Sequence, residues 1–274
     1  MEKLLVAGLL LAGLLALLLS FSRKRPRIIT RDLQPVTITG HRGAGGLMAE
    51  NSLAAIRKGV AIGCNRIEID VHQTADSVVV VMHDDNINRT TNGKGKIKSM
   101  TYRELLQFTL KPLQQDDTAL QKIPTLEEAM DAVNGKAVLL IELKEGSAYY
   151  PGIEERVVNL IKQKKASGWC MIHSFSDTIL NKVHALAPDL PLHKLLLTSL
   201  FYNPDKMPFI REVSVYRGGF SQPFIDKVHK AGKKINIWTV NNKDDMQYLM
   251  HLGVDGIITD YPDLAKEVLS ENKL

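Results

Sequence analysis

What most constrains this chain is a rhythm that begins after residue 33, in which a short β-type apolar run is followed by a helix-type run, again and again. The apolar runs are Val36–Thr39, Arg66–Val71, Val138–Glu142, Cys170–Ser174, Leu192–Leu197, Glu212–Val215, Lys234–Val240 and Gly256–Thr259. Between them lie amphipathic stretches at Ser52–Ile62, Leu126–Val133, Ile153–Lys164, Asp177–Leu186, Pro223–Lys230, Lys243–Leu252 and Pro262–Leu269. Thr125 with Glu128 fits a capping box, and Gly63, Gly135, Gly232 and Gly253 fit helix stops. Strand–helix alternation argues for parallel βα units. Eight of them suit an α/β fold of the (β/α)8 TIM barrel type, with a doubly wound open sheet as the competing arrangement. Ser77–Met82 is placed to form a hairpin with the strand ending at Val71, which makes a small insertion after the second strand. Asp84–Ile123, polar and carrying Asn-Gly and Gly-Lys pairs, reads as an excursion on the rim.

Composition excludes several alternatives. A hydrophobic fraction of 45% is too high for a disordered chain, and two cysteines are too few for a disulfide scaffold. Cys64 and Cys170 both sit beside apolar segments, where a lone buried thiol is the commoner arrangement. The net charge of +5 is concentrated at one end. The first 32 residues hold six basic side chains and two acidic ones, which leaves 29 basic against 28 acidic in the rest. A nucleic-acid partner is therefore not expected, since it would need basic residues spread over a binding face.

The N-terminal end carries its own signal. Leu4 to Leu19 contains only Leu, Val, Ala and Gly, and a helix of about 17–20 apolar residues reaches roughly 26–30 Å. Residues 1–22 are expected to form a transmembrane anchor or a signal segment, 23–34 a basic linker, and 35–270 the barrel domain. The fold is thus expected to be preceded by an N-terminal transmembrane helix, which makes the membrane a partner. The basic cluster Arg23–Arg31 after the span favours the cytoplasmic side for a single-pass anchor, whereas a cleaved signal would give export.

Chemistry in such a barrel gathers at the C-terminal ends of the strands. His41 and Arg42 close the first run, and His83 ends the extra strand. Glu68 and Asp70, two apart on a strand, share one face, opposite Ile67, Ile69 and Val71. An outward, solvated pair is the plain alternative. In a barrel, however, the apolar face packs on helices and the carboxylates point into the lumen. Glu142 has the same setting, with Lys144 two residues on. Three converging carboxylates without cysteine suggest Ca2+ or Mg2+ rather than zinc. His41 and His83 are candidate acid and base, and Arg42 with Lys144 suits an anionic substrate such as a phosphate. His72, His173, His184, His193, His229 and His251 lack a comparable setting, although His173 is less clear-cut than the rest.

The stretch from Gly40 to Asp84, which contains GHRGAGG, RIEID and MHD, resembles the opening of the glycerophosphodiester phosphodiesterase domain. The resemblance continues through NRTTNGKGKIKSMTYREL, IPTLEEAM, LLIELK, IHSFS, INIWTVN and GVDGIITDYP, covering residues 36–264. It implies a (β/α)8 barrel and a phosphoric diester hydrolase that releases sn-glycerol 3-phosphate and an alcohol. A lysophospholipase D acting on membrane lysophospholipids is the alternative. By the same resemblance His41 and His83 are the acid/base pair, with His41 the proton acceptor and His83 the donor. Glu68, Asp70 and Glu142 hold one divalent cation. Arg42, Lys144 and Trp238 contact substrate, and Glu50 and Asn51 lie at the edge of the site. Ser52 replaces the usual Thr, Ala49 stands where Pro is common, and Ala75-Asp76-Ser77 departs from the frequent turn.

Overall fold

The structure is a computed structural model that describes residues 36–113 and 120–271. The elements run β1 (Thr37–Gly40), α1 (Leu53–Ile62), β2 (Arg66–Gln73), β3 (Val79–Val81), α2 (Leu126–Val133), β4 (Val138–Leu143), α3 (Ile153–Gln163), β5 (Cys170–Ser174) and α4 (Asp177–Leu186). They continue with β6 (Leu192–Leu196), β7 (Ile210–Tyr216), α5 (Gln222–Lys230), β8 (Lys234–Trp238), α6 (Lys243–Leu252), β9 (Gly256–Thr259) and α7 (Pro262–Glu271). Every strand except β3 pairs in parallel with its neighbours, and β1 pairs with both β2 and β9. The sheet therefore closes on itself as an eight-stranded barrel. Closure decides against the open sheet.

Strand alternation sorts the side chains. On β2, Ile67, Ile69 and Val71 join the main apolar core between sheet and helices, while Glu68 and Asp70 are also fully buried on the opposite, inner face. β3 pairs antiparallel with the end of β2, Val71 facing Val81 and Gln73 facing Val79. That partner carries β2 two residues past the expected Val71.

The helix ends follow local chemistry. Thr125 and Glu128 form the expected capping box at α2, and a second box, Thr101 with Glu104, starts a short helical turn at Tyr102–Leu105. α1 and α6 stop at Gly63 and Gly253, both left-handed with φ of 82° and 79°. The other two expected stops lie one residue late. Asn134 caps α2 and Ala231 caps α5, with Gly135 and Gly232 following; asparagine tolerates the left-handed region well enough to take the first place.

One segment differs from the sequence expectation, and one gap in it is confirmed. The polar stretch after β3 is more than a rim excursion, because its sparse apolar residues Ile87, Ile97, Leu105, Leu110 and Ile123 gather with Ala49, Val80 and Met82 into a second small core. Turns bring them to one side, which no periodicity in the sequence reports. After β6 no α-helix follows; the chain reaches β7 through a loop holding only the 3₁₀ turn Pro204–Lys206. The expected anchor at 1–22 and linker at 23–34 lie outside the described residues. Among the described residues, no helix is long and apolar enough to cross a membrane. Cys64 and Cys170 are buried free thiols, whose pKa burial pushes up to about 11 and about 12.

Candidate active site

The loops after β1, β2 and β3 and the ends of β4 and β5 meet at the C-terminal mouth of the barrel. Immediately after β1 the chain turns sharply: Arg42 has φ 52° and Gly43 φ 88°. A Cβ at Gly43 would lie 2.6 Å from the Ala55 carbonyl carbon, so the turn packs directly on α1 and only glycine fits. This turn aims the Arg42 amide at Glu68, donating to Oε2 at 2.8 Å, and sets His41 beside the same carboxylate, with Nε2 3.9 Å from Oε2.

Both expected acid/base histidines are held from behind by a carboxylate. His41 Nδ1 lies 2.6 Å from Asp260 Oδ1, and His83 Nδ1 lies 2.7 Å from Asp84 Oδ1. A carboxylate at Nδ1 fixes the proton there and leaves Nε2 for exchange. Asp260 is itself fixed by Asn241, whose Nδ2 donates to Oδ2 at 2.6 Å. Burial opposes protonation of His41, but the Asp260 hydrogen bond and the Glu68 charge outweigh it and raise its pKa. Burial lowers the pKa of His83, and the Asp70 and Asp84 carboxylates do not fully offset the effect of burial together with Lys144 and Arg42.

The carboxylates divide into two groups. Asp70 is enclosed by cations and donors: Lys144 Nζ at 2.9 Å, Arg42 Nε at 3.7 Å, and Asn51 Nδ2 donating at 2.7 Å. Burial would raise its pKa, but these neighbours, Lys144 foremost, hold it well below the usual carboxylate range. Glu142 shares Lys144, at 2.9 Å. There burial and the nearby Asp70 charge prevail and push the pKa up. Glu68 and Glu142, however, converge with a residue the motif reading left aside. His173, at the end of β5, brings one ligand atom to within 4.8 Å of theirs. Glu68 Oε1 and both ring nitrogens of His173 are buried without a hydrogen-bond partner. Orphaned acceptors beside crowded carboxylates are what a divalent cation would satisfy, so these residues fit one.

At the edge, Glu50 accepts from Arg42 Nη1 at 2.7 Å and from both terminal nitrogens of Arg89 at 2.8 Å. Arg89 also reaches Asp84, its Nε donating at 2.9 Å, and so ties the β1 loop to the loop carrying His83. Beside Glu50 and Arg89 lies a recess of about 170 Å3 walled by Ala49, Leu110, Pro112 and Leu113. Trp238 closes β8. Its ring meets Phe175 and Tyr216 edge-on, at 5.7 and 5.6 Å between centroids.

Sequence reasoning thus identified most of the residues that gather here and overlooked Asp260, Asp84, Arg89, Asn241 and His173. The first two were legible in principle, since Asp260 directly follows β9 and Asp84 directly follows His83, each inside a quoted motif. His72 and His193 serve structure instead: His72 bonds the His83 carbonyl and Tyr150, both at 3.0 Å, and His193 bonds Ser214 at 2.8 Å.

Comparison with known proteins agrees with the barrel fold. The sequence model of the Glycerophosphoryl diester phosphodiesterase family matches residues 41–264. A glycerophosphodiester phosphodiesterase of Caldanaerobacter subterraneus subsp. tengcongensis is 35% identical over 82% of this chain and 94% of its own length. A lysophospholipase D of Rattus norvegicus is 27% identical over 90% of this chain and 88% of its own. The fold superposes on an Oleispira antarctica phosphodiesterase, solved in complex with the product sn-glycerol-3-phosphate, with a TM-score of 0.78 and 24% identity over 85% of this chain and 96% of that one.

Proposed function

This chain belongs to the glycerophosphoryl diester phosphodiesterase family, and from that premise we propose that it cleaves glycerophosphodiesters to sn-glycerol 3-phosphate and an alcohol, with His41 and His83 as its proton-transfer pair. The observation that carries the reading is the matched backing of the two histidines, Asp260 behind one at 2.6 Å and Asp84 behind the other at 2.7 Å. Each imidazole then presents Nε2 to the mouth. One removes a proton from the attacking water as its oxygen bonds to phosphorus. The other gives a proton to the leaving alkoxide as the ester bond breaks.

Arg42 and Lys144 are the cations at the mouth beside the two histidines, Lys144 lying between Asp70 and Glu142, so both are suited to the anionic phosphoryl oxygens. When bound, a divalent cation would set positive charge against those oxygens. The test is a panel of glycerophosphodiesters read by release of glycerol 3-phosphate. Unchanged hydrolysis in His41→Ala and His83→Ala would sink the assignment.

A second reading, lysophospholipase D, is favoured by the mouth on the β5–β8 side. Leu197, Leu200 and Phe201 are exposed on the loop after β6, Phe201 at 91%, and Ser199 of that loop donates to the Gly219 carbonyl just past Tyr216, a member of the Phe175–Trp238–Tyr216 ring cluster. An acyl chain could shelter against such a surface. Trp238 would then border the glycerol or the chain. Comparing glycerophosphocholine with lysophosphatidylcholine in detergent separates the readings, and activity confined to the acylated substrate would defeat the first. The apolar run Leu4–Leu19 supports a membrane-anchored location, cytoplasmic by its basic flank. Resistance of the full chain to alkaline extraction from membranes tests the anchor.

A further inference from the structure

We propose that the mouth end of the barrel is a membrane-docking surface: an apolar arm after β5, β6 and β7 enters a phospholipid bilayer while a lysine arm after β3 rests on anionic headgroups. The proposal goes beyond the choice between soluble and acylated substrate, and neither is needed to test it.

The placement of exposed apolar side chains carries it. Among the described residues nine large ones are exposed, and all lie at one end of the molecule. Phe175 follows β5, Leu197, Leu200 and Phe201 follow β6, Tyr216 closes β7, and Tyr261 follows β9. The other three, Leu106, Leu113 and Leu120, belong to the segment that leaves the mouth at His83 and ends where α2 begins. None sits on the outer faces of the helices, or on the turns that lead from a helix into the next strand at the opposite end. Single exposed apolar residues are ordinary, whereas a contiguous group marks an interaction surface. This group is contiguous. The Trp238 ring meets Phe175 and Tyr216, and Ser199 on the loop after β6 donates to the carbonyl of Gly219, just past the end of β7.

Charge on the other side of the mouth complements a lipid surface. Lys94, Lys96 and Lys98 are exposed. Lys96 Nζ lies 3.9 Å from Asp85, and Lys98 Nζ lies 3.7 Å from the centre of the Tyr149 ring, which sets this arm against the loops after β3 and β4. Residues 84–113 hold six basic side chains and three acidic ones. Apolar side chains beside lysines suit the bilayer interface, where the first enter the acyl boundary and the second meet anionic headgroups. The sequence also supplies a reason to be at a membrane, the apolar run Leu4–Leu19. Sixteen residues separate it from Val36 and reach at most about 55 Å. The eight-residue strand β2 is about 26 Å long, so a chain held by that run is free to turn its mouth to the same bilayer.

The experiment attaches bimane to one added cysteine of the full-length protein, in vesicles of phosphatidylcholine and phosphatidylglycerol with or without brominated acyl chains. Phe201→Cys probes the apolar arm, and Ser167→Cys, on the turn just before β5, probes the opposite end. Both positions are exposed, so neither change disturbs packing, and the native Cys64 and Cys170 are buried. Bromination is expected to lower the emission of F201C at least twofold and to leave S167C nearly unchanged. Equal quenching at both positions, or none at F201C, would overturn the docking. Adding Lys94→Gln and Lys96→Gln should weaken the F201C quenching in these vesicles and not in pure phosphatidylcholine, and an unchanged signal in both would refute the lysine arm. Failure of the phosphodiesterase reading is seen separately, as no glycerol 3-phosphate from any diester while the quenching pattern persists.

Discussion

His41 shows how much one side chain owes to distant neighbours. Its ring is oriented by Asp260, which is 219 residues away in sequence, and Asp260 is in turn held by Asn241. Asp260→Asn keeps a side chain of the same size but removes the charge that fixes the ring's tautomer. The variant is expected to lose about 10²–10⁴-fold in kcat, the range for general acid–base catalysis, with KM changed much less. Steady-state kinetics on glycerophosphocholine checks it, and a loss confined to KM would mean that Asp260 acts in binding. Glu50 and Arg89 form a second such pair at the site edge. Arg89→Ala frees the loop carrying His83 from the loop carrying Arg42, and should lower kcat/KM while leaving the melting temperature nearly unchanged, because Arg89 is 47% exposed.

Among the elements, α2 was the most readable. Its capping box, four buried apolar residues and spacing all lie within a few positions of one another. Thr125→Ala removes the cap and should cost about 1 kcal/mol, which lowers the melting temperature by roughly 2–4 °C for a domain of this size. A calorimetric scan reads this, and activity should persist because Thr125 lies outside the site. The segment between β3 and α2 was read less well. It looked polar in sequence, yet it folds its few apolar residues into a core of their own. Strand β6 was placed correctly, and the absence of an amphipathic stretch after it matched the loop that follows.

The barrel as a whole is fastened across its lumen. Arg66 on β2 makes two hydrogen bonds to Glu212 on β7, at 2.6 and 2.7 Å, with both residues more than nine-tenths buried. Burial alone would raise the Glu212 pKa, but the Arg66 guanidinium outweighs it and draws the value from 4.5 down to about 2. The stability this pair contributes is complete above the unfolded value of 4.5, and is lost as pH falls through about 2. The loss is on the order of 3 kcal/mol. His193, kept neutral by burial down to about 3, adds a loss of the same sign that begins below 6.5. Thermal melts between pH 7 and pH 2 should therefore fall most steeply below 4.5. Glu212→Gln should flatten that acid limb while destabilising the protein by about 3–5 kcal/mol at neutral pH, since Arg66 keeps a buried charge without its partner. At the opposite end of the barrel, Leu200→Asp with Phe201→Asp should weaken hydrolysis of lysophosphatidylcholine in micelles and leave glycerophosphocholine turnover unchanged, provided the exposed loop meets lipid.

What the sequence determined alone was everything written at short range. Periods of two and of about 3.6 set strands and helices, caps set the ends of α1, α2 and α6, and ordered motifs put His41, Arg42, Glu68, Asp70, His83, Glu142 and Lys144 at strand ends. The tertiary structure decided what depends on closure. It chose a barrel over an open sheet by pairing β1 with β9. It placed Asp260 behind His41, and it brought His173 to within 4.8 Å of Glu68 and Glu142. The physical reason is that register between neighbouring strands, and the filling of a closed lumen, are fixed by all eight strands together. No single segment encodes which side chain of one strand meets which of another.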